Sequence, residues 1–300
     1  MDYIYKRRIL RAITSLEGAY APNTLKSYYA DTTHFVDWCH LHDVSPFPLT
    51  TKVLQSYLEN QATSLKFSTL RRRMSALRRV NTLLGFDDPK FSEEFHIAWR
   101  RIRRGNTLRP NQATGINSEL LVRMLNAQPS TPIGLRNRAL LSIGYDFLAR
   151  RSELTALKDS DVEFIPDGSL RGHIRKSKTD PYGHGRLVFG SKRSAKLLKN
   201  WQKIKPETVQ PLFCPIQHGQ FINRALSDRS INEIIKKGLL NVTGARPEDG
   251  NISGHSLRVG AAQDLLIKGH SHVAIMRAGG WTSINSVLGY LKYAEHNVWE

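Results

Sequence analysis

Cysteine is scarce in this sequence, which contains only Cys39 and Cys214 among its 300 residues. The two lie far apart, and neither belongs to a C-x-x-C pair, so the sequence encodes neither a disulfide framework nor a zinc site of ordinary spacing. Free thiols of this kind are typical of a reducing compartment. We therefore expect a cytoplasmic protein.

Long apolar runs are also absent from the sequence. No stretch approaches the roughly 20 residues that cross a bilayer, and the N-terminus lacks the apolar core of a signal peptide. The sequence likewise contains no Walker-type glycine-rich loop and no clustered carboxylates at metal-ligand spacing. We therefore expect no membrane partner, no nucleotide and no metal cofactor.

Basic residues, by contrast, are in large excess. The chain has 44 lysines and arginines against 26 acidic residues, a formal net charge of +18. Residues 1–110 contain 18 basic and 10 acidic residues, and residues 111–300 contain the other 26 and 16, so both halves are basic. Such a distribution favours a polyanionic partner, above all a nucleic acid. An anionic membrane surface is the alternative, but no lysine-rich amphipathic helix with exposed aromatic residues supports it.

The spacing of apolar residues predicts two domains. Over residues 24–84 apolar side chains recur every three or four positions, which indicates helices. Residues 106–117 are rich in Gly, Pro, Asn, Gln and Thr and poor in apolar residues, which is typical of a linker. We therefore predict an N-terminal domain over residues 1–105 and a C-terminal domain over residues 118–300.

The C-terminal domain is predicted to be mostly helical, with one small antiparallel sheet. Ser118 begins a capped helix, and an apolar helix covers residues 135–149. Short apolar segments around Val162, Leu170 and Leu187, separated by turn residues, indicate the strands of the sheet. The remainder is predicted to be helical. The predicted fold class is therefore mainly α.

Arginines cluster near the end of the N-terminal domain. They could form the solvated face of a surface helix, but their position before a linker in a strongly basic chain favours contacts with phosphate groups. Such contacts position DNA without reading its sequence. The candidates are Arg71, Arg72, Arg73, Arg100, Arg101, Arg103 and Arg104.

The last third of the chain contains the residue types that phosphate chemistry on a tyrosine requires. His255 and Arg258 are one helical turn apart, Trp281 follows two glycines, and Tyr290 lies ten residues before the end. Two basic groups on one helix face, an indole N–H donor and a phenol are groups that the transfer of a phosphodiester onto tyrosine would require. Each signal alone also fits a structural role, because aromatic residues usually pack in cores and H-x-x-R occurs by chance.

The order of the motifs resembles the tyrosine recombinase family. Ser253 to Tyr290 is the most specific stretch, and Trp281 stands where most of the family has a second histidine. The resemblance is weaker in the N-terminal half, where Thr24-Leu25-Lys26 fits a core-binding domain and adds Lys26 to the candidate DNA contacts. The motifs, in order, are Arg150-x-x-Glu153, a hairpin lysine at Lys178, His255-x-x-Arg258, Gly279-Gly280-Trp281 and the terminal Tyr290.

The resemblance implies three central roles. Tyr290 is the nucleophile; a phenol of pKa about 10 needs positive surroundings to ionise on attack. Arg150 and Arg258 clamp the scissile phosphate with their guanidinium groups. Lys178 is the general acid that protonates the departing 5′ oxygen. Lys176, two residues earlier, could share its strand face and take that role instead.

Three supporting roles follow from the same resemblance. His255 is a donor at the phosphate, or the base for the tyrosine proton. Trp281 donates its indole N–H to a non-bridging oxygen. Glu153 is a supporting carboxylate that orients neighbouring groups of the site.

As a whole, the resemblance implies a metal- and ATP-independent recombinase. Its two domains would clamp duplex DNA and exchange strands through a Holliday junction, as a tetramer formed on DNA and without a small-molecule substrate. Two alternatives are a catalytically silent DNA-binding accessory protein and a DNA-relaxing enzyme like type IB topoisomerases. Phage integration, plasmid dimer resolution and transposition all stay open as biological roles.

Overall fold

The computed structural model describes residues 3–106, 113–177, 180, 183–244 and 252–291. The chain divides into two compact units, Met1–Pro110 and Asn111–Glu300. Over the described residues it is mainly helical with small antiparallel sheets, which confirms the predicted fold class. The domain limits inferred from the sequence stay a prediction.

Every helix or strand assigned to the described residues of the first unit is an α-helix. Two of its helix starts are capped by side chains: Thr50 accepts from the backbone N–H of Val53, and Ser92 from that of Phe95. Its core is apolar and aromatic, with Tyr57 fully buried at the centre. The helices are α1 (Tyr3–Thr14), α2 (Pro22–Leu41), α3 (Thr51–Ala62), α4 (Phe67–Leu83) and α5 (Glu93–Gly105).

The second unit combines helices with two small sheets, all among its described residues. The helices are α6 (Ser118–Asn126), α7 (Pro132–Asp146), α8 (Arg151–Ala156), α9 (Lys192–Gln202), α10 (Asp228–Thr243), α11 (Gly254–Ile267), α12 (His272–Gly279) and α13 (Ile284–Leu291). The strands are β1 (Val162–Phe164), β2 (Leu170–Ile174), β3 (Arg186–Gly190), β4 (Ile216–Gln217) and β5 (Gln220–Phe221).

The larger sheet is an antiparallel meander in the order β1-β2-β3. Leu170 pairs with Gly190 and Ile174 with Arg186, so alternate residues of β2 and β3 face the core. Gly172 leaves room for the ring of Phe147, because a Cβ there would lie 2.5 Å from that ring. The sheet is thereby held against the end of α7.

Two buried helices form the centre of the second unit. Most of α7 is buried, and α11 packs against it with its N-terminal half buried as well. The backbone N–H of Ile116 donates to the carbonyl oxygen of Ser256, and Ile116 is fully buried. This segment crosses α11 so closely that a Cβ on Gly260 would lie 1.9 Å from the carbonyl oxygen of Ile116.

Three features differ from the sequence-based expectation. Helix α1 precedes the first predicted helix. A second hairpin, β4–β5, interrupts the region predicted to be helical; strands of two residues carry too little periodicity to be recognised. Helix α7 ends at Asp146, because Leu148 adopts a left-handed backbone conformation with φ of 46°.

The close crossing at Gly260 predicts a stability difference between two helical glycines. Gly260→Ala should lower the free energy of unfolding by about 1–3 kcal/mol, because the added methyl group meets backbone that cannot move aside. Gly289→Ala in α13 is the matched control: its Cβ would meet nothing within 4 Å, and the change should be neutral or stabilising by up to about 1 kcal/mol. Urea denaturation measures both variants, and equal effects would contradict the explanation.

Candidate active site

The start of α11 places two basic side chains on one face. The side chain of Ser253 accepts from the backbone N–H of His255, and the backbone N–H of Gly254 donates to Oδ1 of Asn232 at 2.8 Å. The helix therefore begins at Gly254. His255 and Arg258 are three residues apart and so project from the same side of its first turn.

Arg258 is the most unusual group of the site, because its side chain is fully buried. Nη1 donates to the carbonyl oxygen of Leu148, and the guanidinium carbon lies 3.9 Å from the centroid of the Trp281 ring. Nε and Nη2 are buried and have no hydrogen-bond partner within the part of the chain that the structure describes. Burial, followed by the charge of Arg150, lowers the pKa of Arg258 to about 10. A buried cation with two nitrogens whose N–H donors are unused can accommodate an anion.

The acceptor for Arg258 is supplied by the strained end of α7. Leu148 lies in the left-handed region, where a bulky side chain costs about 1–3 kcal/mol. That conformation turns the chain sharply, and the backbone N–H of Ala149 donates back to Gly144. The carbonyl of Leu148 thereby reaches Arg258, and Arg150 follows immediately at the N-cap of α8.

Arg150 is fixed by the buried carboxylate of Glu153. Its backbone N–H donates to Oε2 at 2.9 Å, and its Nη1 donates to Oε1 at 2.7 Å and to the Ser177 hydroxyl at 3.5 Å. Oε2 also accepts from Nη2 of Arg186 at 2.8 Å. Glu153 therefore holds two guanidinium groups in place.

Tyr290 on α13 contacts His255 through its hydroxyl group. The Tyr290 oxygen lies 2.8 Å from Nε2 of His255, and the Tyr290 and Trp281 rings meet edge to face with centroids 5.0 Å apart. In the tautomer that carries its proton on Nδ1, Nε2 accepts this hydrogen bond. The ring of Tyr290 is 5.8 Å from the Arg258 guanidinium. The phenol thus lies beside a base and above a cation.

His255 is favoured in its neutral form. Burial is the first cause that lowers its pKa below 6.5, and the charges of Arg258, Arg150 and Arg151 act in the same direction. A neutral imidazole can accept a proton from the phenol, which an imidazolium cannot.

The structure brings together six of the residues that the sequence singled out: Arg150, Glu153, His255, Arg258, Trp281 and Tyr290. Lys178 lies outside the described residues, and Lys176 is exposed. Sequence reasoning missed Arg186. The available signal was its position two residues before Val188 and four before Gly190, on the inward face of β3, where a charge is unexpected.

The candidate DNA contacts of the first unit fall into two groups. Lys26, Arg71, Arg101, Arg103 and Arg104 are exposed, and Arg100 is exposed but pairs with Glu93. The other two are bonded within the unit: the side chain of Arg72 is exposed but pairs with the buried Asp31, and that of Arg73 is part-buried. Arg73 donates to the Tyr57 hydroxyl and to Oε1 of Gln61, each at 2.8 Å.

Known proteins share both the sequence and the fold. Residues 116–297 match the phage integrase family, and residues 13–84 match the N-terminal SAM-like domain of phage integrases. An integrase/recombinase XerD homologue of Selenomonas ruminantium is 29% identical, over 96% of this chain and 86% of its own length. The recombinase Cre of Escherichia phage P1 is 28% identical, over 91% of this chain and 85% of its own length.

A solved structure of the Tn1549 transposon integrase with circular intermediate DNA has a TM-score of 0.68 at 12% identity. It covers 97% of this chain and 96% of its own, which shows a shared fold. The chain belongs to the phage integrase family, and the predicted membership of the tyrosine recombinases is thereby confirmed. It is accordingly an enzyme of the tyrosine recombinase class. Among the described residues, no helix is both long and apolar enough to cross a membrane.

The depressed pKa of His255 predicts its titration and a contribution to stability. At pH values between 6.5 and the lower pKa of the folded protein, His255 binds a proton in the unfolded chain but not in the folded protein. The contribution of this group to the free energy of unfolding is therefore lost as the pH falls through that range. NMR of the labelled imidazole should show titration below pH 6.5. Arg150→Gln should raise this pKa by removing a nearby positive charge, whereas Arg171→Gln, on the exposed ion pair with Glu163, should not. Titration at or above 6.5, or equal shifts in both variants, would contradict this account.

Proposed function

We propose that this chain is a site-specific DNA recombinase that cleaves and rejoins duplex DNA through a 3′-phosphotyrosine intermediate on Tyr290. The observation that carries the proposal is the Tyr290 hydroxyl, 2.8 Å from Nε2 of His255 and beside a buried arginine with unused N–H groups. The relatives named as recombinases, Cre and the XerD homologue, support the same function.

In the cleavage step the oxygen of Tyr290 attacks the scissile phosphorus. Its proton passes to Nε2 of His255, for which the lowered pKa supplies a neutral acceptor. The bond from phosphorus to the 5′ oxygen breaks as the bond to tyrosine forms, and Lys178 gives a proton to the departing oxygen. One phosphodiester replaces another, so the reverse step can join a different strand without an external energy source.

Arg258 and Arg150 stabilise the phosphate as its charge develops. The Nε and Nη2 groups of Arg258, unpaired within the described residues, gain an acceptor when a non-bridging oxygen binds. Leaving such donors unsatisfied costs about 1–3 kcal/mol each, so the site gains affinity for an anion. Arg150 contributes a second guanidinium, oriented by Glu153. Trp281 covers Arg258 and brings an indole donor to the same region.

Contacts with DNA outside the site come from the exposed cations of the first unit. Lys26, Arg71, Arg101, Arg103 and Arg104 are open to solvent and suit contacts with phosphate groups. Arg73 is better explained as a core residue, since its side chain is only 13% exposed and is bonded within the unit.

Assembly and location complete the proposal. Strand exchange through a Holliday junction needs four protomers holding two sites, so a monomer would assemble into a tetramer on DNA. Residues 292–300, which follow the helix of Tyr290, lie outside the described residues. Two buried free cysteines are consistent with a DNA-associated protein of the cytoplasm.

The alternatives fit these observations less well. A silent accessory protein would not need a phenol held against a neutral imidazole beside two arginines. An enzyme like type IB topoisomerases would share the chemistry, but the relatives that match nearly the whole chain are recombinases. Recombination between two sites, compared with relaxation of a one-site plasmid, separates these outcomes.

The nucleophile is tested by removing one hydroxyl group. Tyr290→Phe should bind DNA with unchanged affinity but form no covalent adduct on a nicked suicide duplex carrying the site that the wild-type chain selects from a randomised library. Tyr293→Phe, three residues further on, is the matched control and should form adducts at the wild-type rate. Denaturing gel electrophoresis measures the adduct. Adduct formation by Tyr290→Phe would assign the nucleophile elsewhere.

The general acid is tested through the leaving group. A substrate with sulfur in place of the 5′ bridging oxygen needs no proton on departure, so it should restore cleavage by Lys178→Ala. Lys176→Ala is the matched control: it should cleave both substrates like the wild type. Equal defects of Lys178→Ala on both substrates would reject its role, and sulfur rescue of Lys176→Ala would transfer the role to Lys176.

A further inference from the structure

Arg186, the first residue of β3, connects three separate segments of the second unit. Its Nη2 donates to Oε2 of Glu153 at 2.8 Å. Its Nη1 donates to the carbonyl oxygen of Ala278 at 2.7 Å and to that of Phe147 at 3.3 Å. The side chain is only 14% exposed. One guanidinium therefore joins α8, the end of α12 and the turn after α7.

Each of these acceptors lies within three residues of a side chain in the candidate site. Glu153 orients Arg150. Phe147 precedes Leu148, whose carbonyl accepts from Arg258. Ala278 stands three residues before Trp281, which covers Arg258. A displacement of Arg186 would consequently reach the two guanidinium groups and the indole together.

Two glycines provide the space for this arrangement. Gly280 ends α12 with φ of 65°, and a Cβ there would lie 2.6 Å from Cδ of Arg186. A Cβ on Gly279 would lie 1.9 Å from the ring of Trp281. Gly279 thus leaves room for the Trp281 ring, and Gly280 leaves room for the Arg186 side chain.

An arginine is the side chain that can make these contacts. Its planar guanidinium donates in several fixed directions, whereas a lysine ammonium acts as a compact point charge. Burial of the cation is unfavourable and lowers the pKa of Arg186, while the charge of Glu153 opposes that effect. Nε is buried and, among the described residues, has no acceptor. Arg186 is therefore a cation that is unfavourable to bury, and it lies where α8, the end of α12 and the turn after α7 meet.

We propose that Arg186 is a positioning residue for strand cleavage, holding the Gly279-Gly280-Trp281 segment against Glu153 so that Trp281 stays over Arg258. The inference rests on the proposed recombinase function. The competing explanation is a structural ion pair that stabilises the unit without affecting the chemical step.

The two explanations differ in single-turnover cleavage measured at saturating DNA. Arg186→Lys keeps the positive charge but loses the guanidinium group that donates to both Glu153 and the Ala278 carbonyl. The position of Trp281 over Arg258 is then no longer fixed. We expect the cleavage rate constant to fall about a hundredfold, the size of effect that a displacement of about 1 Å produces, with DNA affinity unchanged. Arg171→Lys is the matched control, because Arg171 pairs with Glu163 on the exposed face of the same sheet. It should cleave at the wild-type rate.

A double-mutant cycle with Trp281→Phe shows whether Arg186 acts through the indole. If it does, Arg186→Lys should lower the rate little further once Trp281 is replaced, because the group it positions is already lost. Fully multiplicative effects, a loss confined to DNA affinity, or wild-type cleavage by Arg186→Lys would each overturn the proposal.

Thermal unfolding establishes that the variants are folded at the assay temperature. Should Arg186→Lys not fold, Gly280→Ala tests the same contact, because it retains the guanidinium but places a methyl group against it. A selective loss of cleavage rate is again expected, and wild-type cleavage by this variant would overturn the proposal.

The same assay distinguishes failure of this inference from failure of the proposed function. If the wild-type chain forms no adduct on the nicked substrate, the recombinase assignment fails and the role of Arg186 falls with it. If the wild type forms the adduct and Arg186→Lys does so equally fast, only the positioning role is rejected.

Discussion

The burial of the Arg258 guanidinium is the constraint on which the site depends. A cation removed from water is destabilising unless its donors are satisfied, and here one donor is used by the carbonyl of Leu148 while the Trp281 ring covers the group. The unused N–H groups of this arginine suit the phosphate that the proposed chemistry requires. The left-handed turn at Leu148 and the close packing of the Gly279-Gly280-Trp281 segment both serve this one side chain.

The concentration of positive charge also sets the protonation of its neighbours. Arg258, Arg150 and Arg151 reinforce the effect of burial in keeping His255 neutral. The same arginines that suit a phosphate therefore favour a base that is free to accept the proton of Tyr290. Glu153 limits the repulsion between cations by accepting from both Arg150 and Arg186.

Much of the fold follows from local signals in the sequence. Apolar periodicity identified the helices around α2, α3 and α7, and turn residues between short apolar segments identified the sheet of β1, β2 and β3. The hairpin β4–β5 was not predicted, because strands of two residues are too short to show an alternation of apolar and polar residues. Helix α7 was predicted to extend to residue 149, but it ends at Asp146. The left-handed backbone conformation of Leu148 is set by tertiary contacts rather than by the preference of leucine itself.

For the site, the sequence by itself determined the chemical groups and their order along the chain: Arg150, Glu153, His255, Arg258, Trp281 and Tyr290. Helical spacing also placed His255 and Arg258 on one face. Only the tertiary structure decided which groups meet, because residues far apart in sequence approach through packing rather than through local preference. It placed Tyr290 against His255, buried Arg258 under Trp281 and added Arg186. The tertiary structure also directs the Arg73 side chain toward the core of its unit. There its hydrogen bonds with Tyr57 and Gln61 replace those it would make with water.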